Sequence, residues 1–154
     1  KGVQLRVLFT FDQGSQIFDG GGEFKTANGR FRDNQHVSQL DAWEEPGDQT
    51  DVPEPRLFVN NGAAESSRYL YDASYVRLKN VNLSYDLPTR LVQRLSVSSA
   101  RIYVTGQNLL TFTDYRWWDP EANADAFSGN LGFGNEFYTA PQARSVTGGI
   151  QLSF

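Results

Sequence analysis

Apolar and polar residues alternate along four stretches of the chain, and this alternation predicts four β-strands. Over residues 3–12 one face carries Val3, Leu5, Val7, Phe9 and Phe11, and the other carries Gln4, Arg6, Leu8, Thr10 and Asp12. A second strand is predicted over about 74–87. There Val76 and Leu78 share one parity, while Val81, Leu83, Tyr85 and Leu87 take the opposite one, so the phase changes near Lys79 and Asn80. A β-bulge produces such a change, and so does a strand leaving a membrane at that height. The third strand, 99–113, sets Ala100, Ile102, Val104, Gly106, Leu110 and Phe112 against Arg101, Tyr103, Thr105, Gln107 and Thr111, with Asn108 as an exception on the apolar parity. The last, 144–154, is the cleanest: Val146, Gly148, Ile150, Leu152 and Phe154 alternate with Ser145, Thr147, Gly149, Gln151 and Ser153.

The segments between these strands alternate in length. Residues 13–73 form a long connection rich in Gly, Asp, Asn and Pro, in which 33–43 is a candidate short helix with Asp33 as its cap. Residues 88–97, opened by Pro88, are short, and 114–142 are long again. Outer-membrane barrels combine short periplasmic turns with long extracellular loops. On that rule 13–73 and 114–142 lie outside the cell and 88–97 in the periplasm. The predicted fold is all-β: an antiparallel transmembrane β-barrel to which this chain contributes four strands. Four strands cannot close a barrel, which takes about eight or more. An open sheet edge in hydrocarbon leaves backbone groups unpaired at a cost of several kcal/mol each. The missing strands are therefore expected from other polypeptide.

Composition sharpens the picture in a few places. The 154 residues include no methionine, so a processed product or a part of a longer chain is expected. The absence of cysteine excludes disulfides and thiolate metal sites. A net charge of −4 disfavours nucleic acid as a partner. No run approaches the roughly 18 apolar residues of a membrane-spanning helix. The mean hydropathy of −0.50 is compatible with a membrane barrel, because only alternate strand residues face lipid.

Longer motifs then carry a resemblance. Residues 66–88 contain the run Ser74-Tyr75-Val76-Arg77-Leu78-Lys79-Asn80 followed by Leu83-Ser84-Tyr85-Asp86-Leu87-Pro88. A second motif is Arg101-Ile102-Tyr103-Val104-Thr105-Gly106-Gln107-Asn108-Leu109-Leu110-Thr111-Phe112-Thr113, a third Asp119-Pro120-Glu121, and a fourth Gly148-Gly149-Ile150-Gln151-Leu152-Ser153-Phe154. Together they resemble the C-terminal segment of the SusC/RagA family of TonB-dependent outer-membrane transporters. The resemblance implies a large plugged barrel of about 22 strands, with this chain as its last four. It implies a plug and a TonB-contacting N-terminal region upstream, a SusD-like surface lipoprotein as partner, and glycans or peptides as cargo. It also implies that Phe154 acts as an assembly signal for the outer membrane.

No catalytic motif, cofactor site or metal site is predicted. His36 is the only histidine and sits in a polar loop, where it is read as solvated. Glu44-Glu45 and the pair Asp119/Glu121 are read as solvated or capping loop acids. A calcium site from Asp119, Glu121 and Asp125 is a less favoured reading. Tyr115, Trp117, Trp118 and Phe127 are candidates to stack on a sugar or to contact a capping lipoprotein. The alternatives are an interfacial aromatic girdle or self-packing of the loop. Arg6, Arg101, Tyr103 and Gln107 fall on the polar parity, which points into a barrel lumen. Arg77 and Lys79 are further candidates to line a polar path. The competing class is a soluble β-sandwich carbohydrate-binding module with Trp117-Trp118 as its platform, and detergent-dependent extraction separates the two.

Overall fold

The computed structural model describes residues 2–94, 96–124 and 133–154. The chain divides into two compact units, one made of residues 1–14, 73–120 and 141–154, the other of 15–72 and 121–140.

The first unit is an antiparallel sheet of the four predicted strands: β1 (Val3–Asp12), β4 (Tyr75–Asp86), β5 (Ser99–Thr113) and β7 (Ser145–Ser153), ordered β1-β4-β5-β7. Each boundary falls within a residue of the sequence expectation. Register rows confirm which residues share a face. Val3, Tyr85, Ile102 and Ile150 form one row, and Leu5, Leu83, Val104 and Gly148 the next. On the opposite face, Gln4, Ser84, Tyr103 and Gly149 align, followed by Arg6, Asn82, Thr105 and Thr147.

The phase change in β4 is a bulge. Leu8 pairs with Asn80 and Phe9 with Leu78, so Lys79 is one extra residue relative to β1. Toward β5, Leu78 pairs with Leu110 and Asn80 with Gln107, which sets Asn108 and Leu109 against Lys79 alone. One added residue inverts the parity of β4, and two restore it in β5. Asn108 therefore breaks the β5 pattern at one position only. It takes φ 50°, a left-handed conformation that asparagine tolerates better than most residues. Leu109 folds back over Gly106, where a Cβ would meet its side chain at 2.6 Å.

The connection 88–97 contains a short helix, α2 (Thr89–Arg94). Pro88 supplies the carbonyl that the amides of Leu91 and Val92 bond to, and Val92 buries its side chain.

The second unit knits the two long connections together. β2 (Gln16–Asp19) pairs antiparallel with β3 (Leu70–Asp72) and parallel with β6 (Asn135–Glu136). Its core is small: Ile17, Ala27, Ala63 and Tyr69 are buried. Gly22, first residue of the short helix α1 (Gly22–Lys25), lies so close to Tyr69 that a Cβ would sit 2.6 Å from the ring. Asn28 ties irregular backbone in place, donating to the Asn61 carbonyl at 2.7 Å while its own carbonyl accepts from the Arg56 amide at 2.8 Å. The helix expected over 33–43 is a 3-10 turn over Val37–Asp41, capped by His36 rather than Asp33. His36 Nδ1 accepts from the Ser38 amide at 3.2 Å, so the histidine has a local structural role.

Candidate functional site

The four-stranded sheet is inside out by the standard of soluble antiparallel sheets, which bury the apolar face and hydrate the polar one. Val3, Leu5, Val7, Phe9, Phe11, Leu83, Val104, Phe112, Val146 and Ile150 share one face, and all are exposed. The opposite face holds the unit's buried polar groups. Ser84 is buried there, and so is Arg77, which aligns with Thr10 and Thr111.

Arg77 is 2% exposed and forms an ion pair with Asp119, itself 4% exposed. Asp119 Oδ2 also accepts from the Gln142 amide at 2.8 Å. This corrects two sequence expectations. Asp119 is a buried structural acid, and Arg77 is sequestered rather than lining an open path. A buried charge persists only when paired and hydrogen-bonded, and Asp119 supplies both the charge and a fixed orientation. The signal lay in the sequence: a basic residue near the loop end of the polar face of β4, and an acid shortly after β5. The spacing of 42 residues hid it.

A second pair crosses the β4–β5 hairpin near its other end. Arg101 Nε donates to Asp86 Oδ1 at 2.5 Å and Nη2 to Oδ2 at 3.2 Å. Both side chains are partly exposed, so their contribution to stability is small. Asn82 Nδ2 donates to Thr105 Oγ1 at 2.6 Å on the same face. Arg6, Tyr103 and Gln107 share this face with Arg101. The Tyr103 ring lies over Gly149, where an added Cβ would come within 2.5 Å of it.

The aromatic candidates separate. Tyr115 is 5% exposed and offers no ring face to a ligand. Trp117 is half-buried, with the Arg116 guanidinium 5.2 Å from its ring centre. Trp118 is 66% exposed. Phe127 and Asp125 lie outside the described residues. Glu44 and Glu45 are exposed, and their amides cap Asp48 Oδ2 at 2.9 Å each. Those two bonds hold the Asp48 carboxyl below its ordinary value.

In the second unit, sequence reasoning missed a carboxyl pair. Asp19 and Glu136 are neighbours across the parallel β2–β6 pairing, and both are buried. Asp19 accepts from the Gly22 amide at 2.9 Å and meets Lys25 Nζ at 2.8 Å. Glu136 Oε1 accepts from the Thr139 amide at 2.9 Å. Burial pushes the Glu136 carboxyl up, and its hydrogen bond with Asp19 adds to the rise. The folded unit thus binds a proton more tightly than the unfolded chain does. The stability this contributes is complete below the ordinary glutamate value and is lost as pH rises through the elevated one. Hydrogen exchange at residues 16–19 and 135–136 should accelerate over that rise beyond its intrinsic pH dependence. Glu136→Gln should flatten the excess; an unchanged pH response in that variant would dismiss Glu136 as its source.

Among the described residues no cluster of histidine and acidic side chains is arranged to hold a metal ion, and no helix is long and apolar enough to cross a membrane. What the geometry defines is an antiparallel sheet with one bare apolar face and one ion-paired polar face, joined to a loop-built unit.

No family model matches the chain. It is 39% identical over 124 residues, 79% of its length, to TonB-dependent receptor P3 of Formosa agariphila, and 32% identical over its whole length to TonB-dependent receptor P26 of the same organism. It spans 12% and 16% of the lengths of those two proteins. The solved structure of the RagAB peptide transporter superposes over the whole chain with a TM-score of 0.79 at 32% identity, using 16% of that structure's chain. The RagAB peptide importer in its closed-closed state gives 0.78 at 32%. The chain belongs to the TonB-dependent receptors, as a segment of a much longer protein of the SusC/RagA type.

Proposed function

We propose that this chain is the last four strands of a large plugged β-barrel in a bacterial outer membrane, within a receptor that imports glycans or peptides. The observation that carries the reading is the inverted sheet: a continuous apolar face left bare while charged pairs occupy the other. Lipid is the solvent that suits such a face. A soluble β-sandwich would have to bury it against a second sheet. Arg6, Arg101, Tyr103 and Gln107 then face the lumen and its plug. Segments 13–73 and 114–142 lie outside the cell, where they meet neighbouring barrel loops and a SusD-like lipoprotein, and 88–97 lies in the periplasm. TonB acts on the N-terminal region of the receptor, which these 154 residues do not include. The relatives are receptors and transporters, and the chain needs no catalytic residue for this work.

Phe154 is 93% exposed and extends the apolar parity of β7. In this reading it seats the strand end at the membrane interface. Deleting it from the full receptor should lower the folded, membrane-inserted fraction severalfold, measured by the heat-modifiable shift on gels. Normal insertion would reject that role. For the function itself, cells carrying the full receptor should accumulate labelled peptide or oligosaccharide only while TonB is energised. Uptake indifferent to both receptor and TonB would overturn the importer reading.

A further inference from the structure

A pocket of about 310 Å³ opens on the polar face of the sheet beside the Arg77–Asp119 pair. Trp118, Asn108, Gln142 and Arg144 contribute to its walls. Two of these present unused binding capacity. Trp118 is two-thirds exposed and has no ring partner among the described residues. Arg144 is exposed, and its guanidinium pairs with no carboxylate among the described residues. Asn108 is held by the bulge, with Nδ2 donating to the Ala143 carbonyl at 3.0 Å. Because that carbonyl needs a donor, the amide orientation is fixed, and Oδ1 is left as a buried acceptor with no hydrogen-bond partner.

The charges also have a sign. Asp119 is matched by Arg77, so of the three charged residues lining the pocket, Arg144 supplies a net positive charge. A guanidinium fork fits a carboxylate in a bidentate arrangement. An open indole accepts a flat, weakly polar face. These two demands describe one ligand type.

We propose that this pocket binds a small acidic ligand, its carboxylate on Arg144 and a flat face laid on Trp118. An acidic sugar ring and the C-terminal end of a peptide share this chemistry. The assignment rests on the importer reading only for the source of the ligand. It makes Arg144 the specificity-determining residue and leaves Arg77 and Asp119 as the scaffold beneath it.

The test uses the full receptor, purified in detergent, with its fold checked by heat modifiability. Calorimetry would measure binding of trigalacturonic acid against its methyl ester, and of a tripeptide with a free C-terminus against its C-terminal amide. One acid should bind about tenfold or more tightly than its neutral derivative, the usual scale for a hydrogen bond to a charged group. Which acid shows the preference identifies the source. Arg144→Gln should erase the preference without changing the folded fraction, and Trp118→Ala should weaken acid and neutral forms alike. The proposal is overturned if neither acid is preferred, if neither binds, or if the preference survives Arg144→Gln. TonB-dependent uptake that ignores the carboxylate would remove this inference and leave the importer reading standing.

Discussion

Asp119→Ala should destabilise the folded receptor by about 3–5 kcal/mol, the usual cost of removing one partner from a buried ion pair. The reason is the residue left behind. Arg77 is 2% exposed, so removing Asp119 takes away the carboxylate that balances a nearly buried guanidinium. Asp119→Asn should lose less, because its side-chain oxygen still accepts from the Gln142 amide. The double variant Arg77→Leu/Asp119→Leu should lose less than Asp119→Ala alone, since the buried charge is then removed together with its counter-charge. The measurement is the temperature at which the heat-modifiable band of the full receptor converts to its unfolded form. An Asp119→Ala receptor that converts with the parent would show that the pair is not structurally required.

Val104→Arg should cost about 2–4 kcal/mol in a membrane, whereas Thr105→Arg should be tolerated. The two residues are adjacent but point to opposite faces. Val104 aligns with Leu5, Leu83 and Gly148 on the bare apolar face, and Thr105 with Arg6, Asn82 and Thr147 on the polar one. In lipid an arginine at 104 must be stripped of water or distort the bilayer, and at 105 it joins a hydrated, hydrogen-bonded surface. The readout is the inserted fraction of each variant in outer-membrane preparations, with total expression as control. Equal assembly of the two would mean that the apolar face does not meet lipid.

The strands were legible because period-two alternation survives wherever one face is uniformly apolar. Even the bulge at Lys79 left a trace, since a single extra residue must invert the parity that follows. The double insertion at Asn108 and Leu109 left almost none, because two residues cancel. The loop-built unit was opaque for a different reason. Its strands are 2 to 4 residues long, too short for any period, and its cohesion comes from Asn28, Asp19 and close packing at Gly22. Such contacts depend on pairings far apart in sequence. The same holds for Arg77 with Asp119. The motif residues stood out individually, but only the register of β4 and β5 brings them together. Tyr115 and Trp118 look equivalent as letters, and their different exposures follow from the fold alone.

The parallel pairing of β2 with β6 couples two connections that are separated along the chain by two complete membrane-length strands. Among the described residues β6 pairs with β2 alone, whereas β2 also pairs with β3 inside its own connection. The two connections should open and close as one cooperative unit, with hydrogen exchange at Ile17 and Glu136 rising together rather than in sequence. For anyone altering these loops, the practical meaning is that a change of length in one is a change in the ordering entropy of both. Grafts that exchange 13–73 alone between receptors should leave 133–140 without its template, while exchanging both segments together should keep the unit intact.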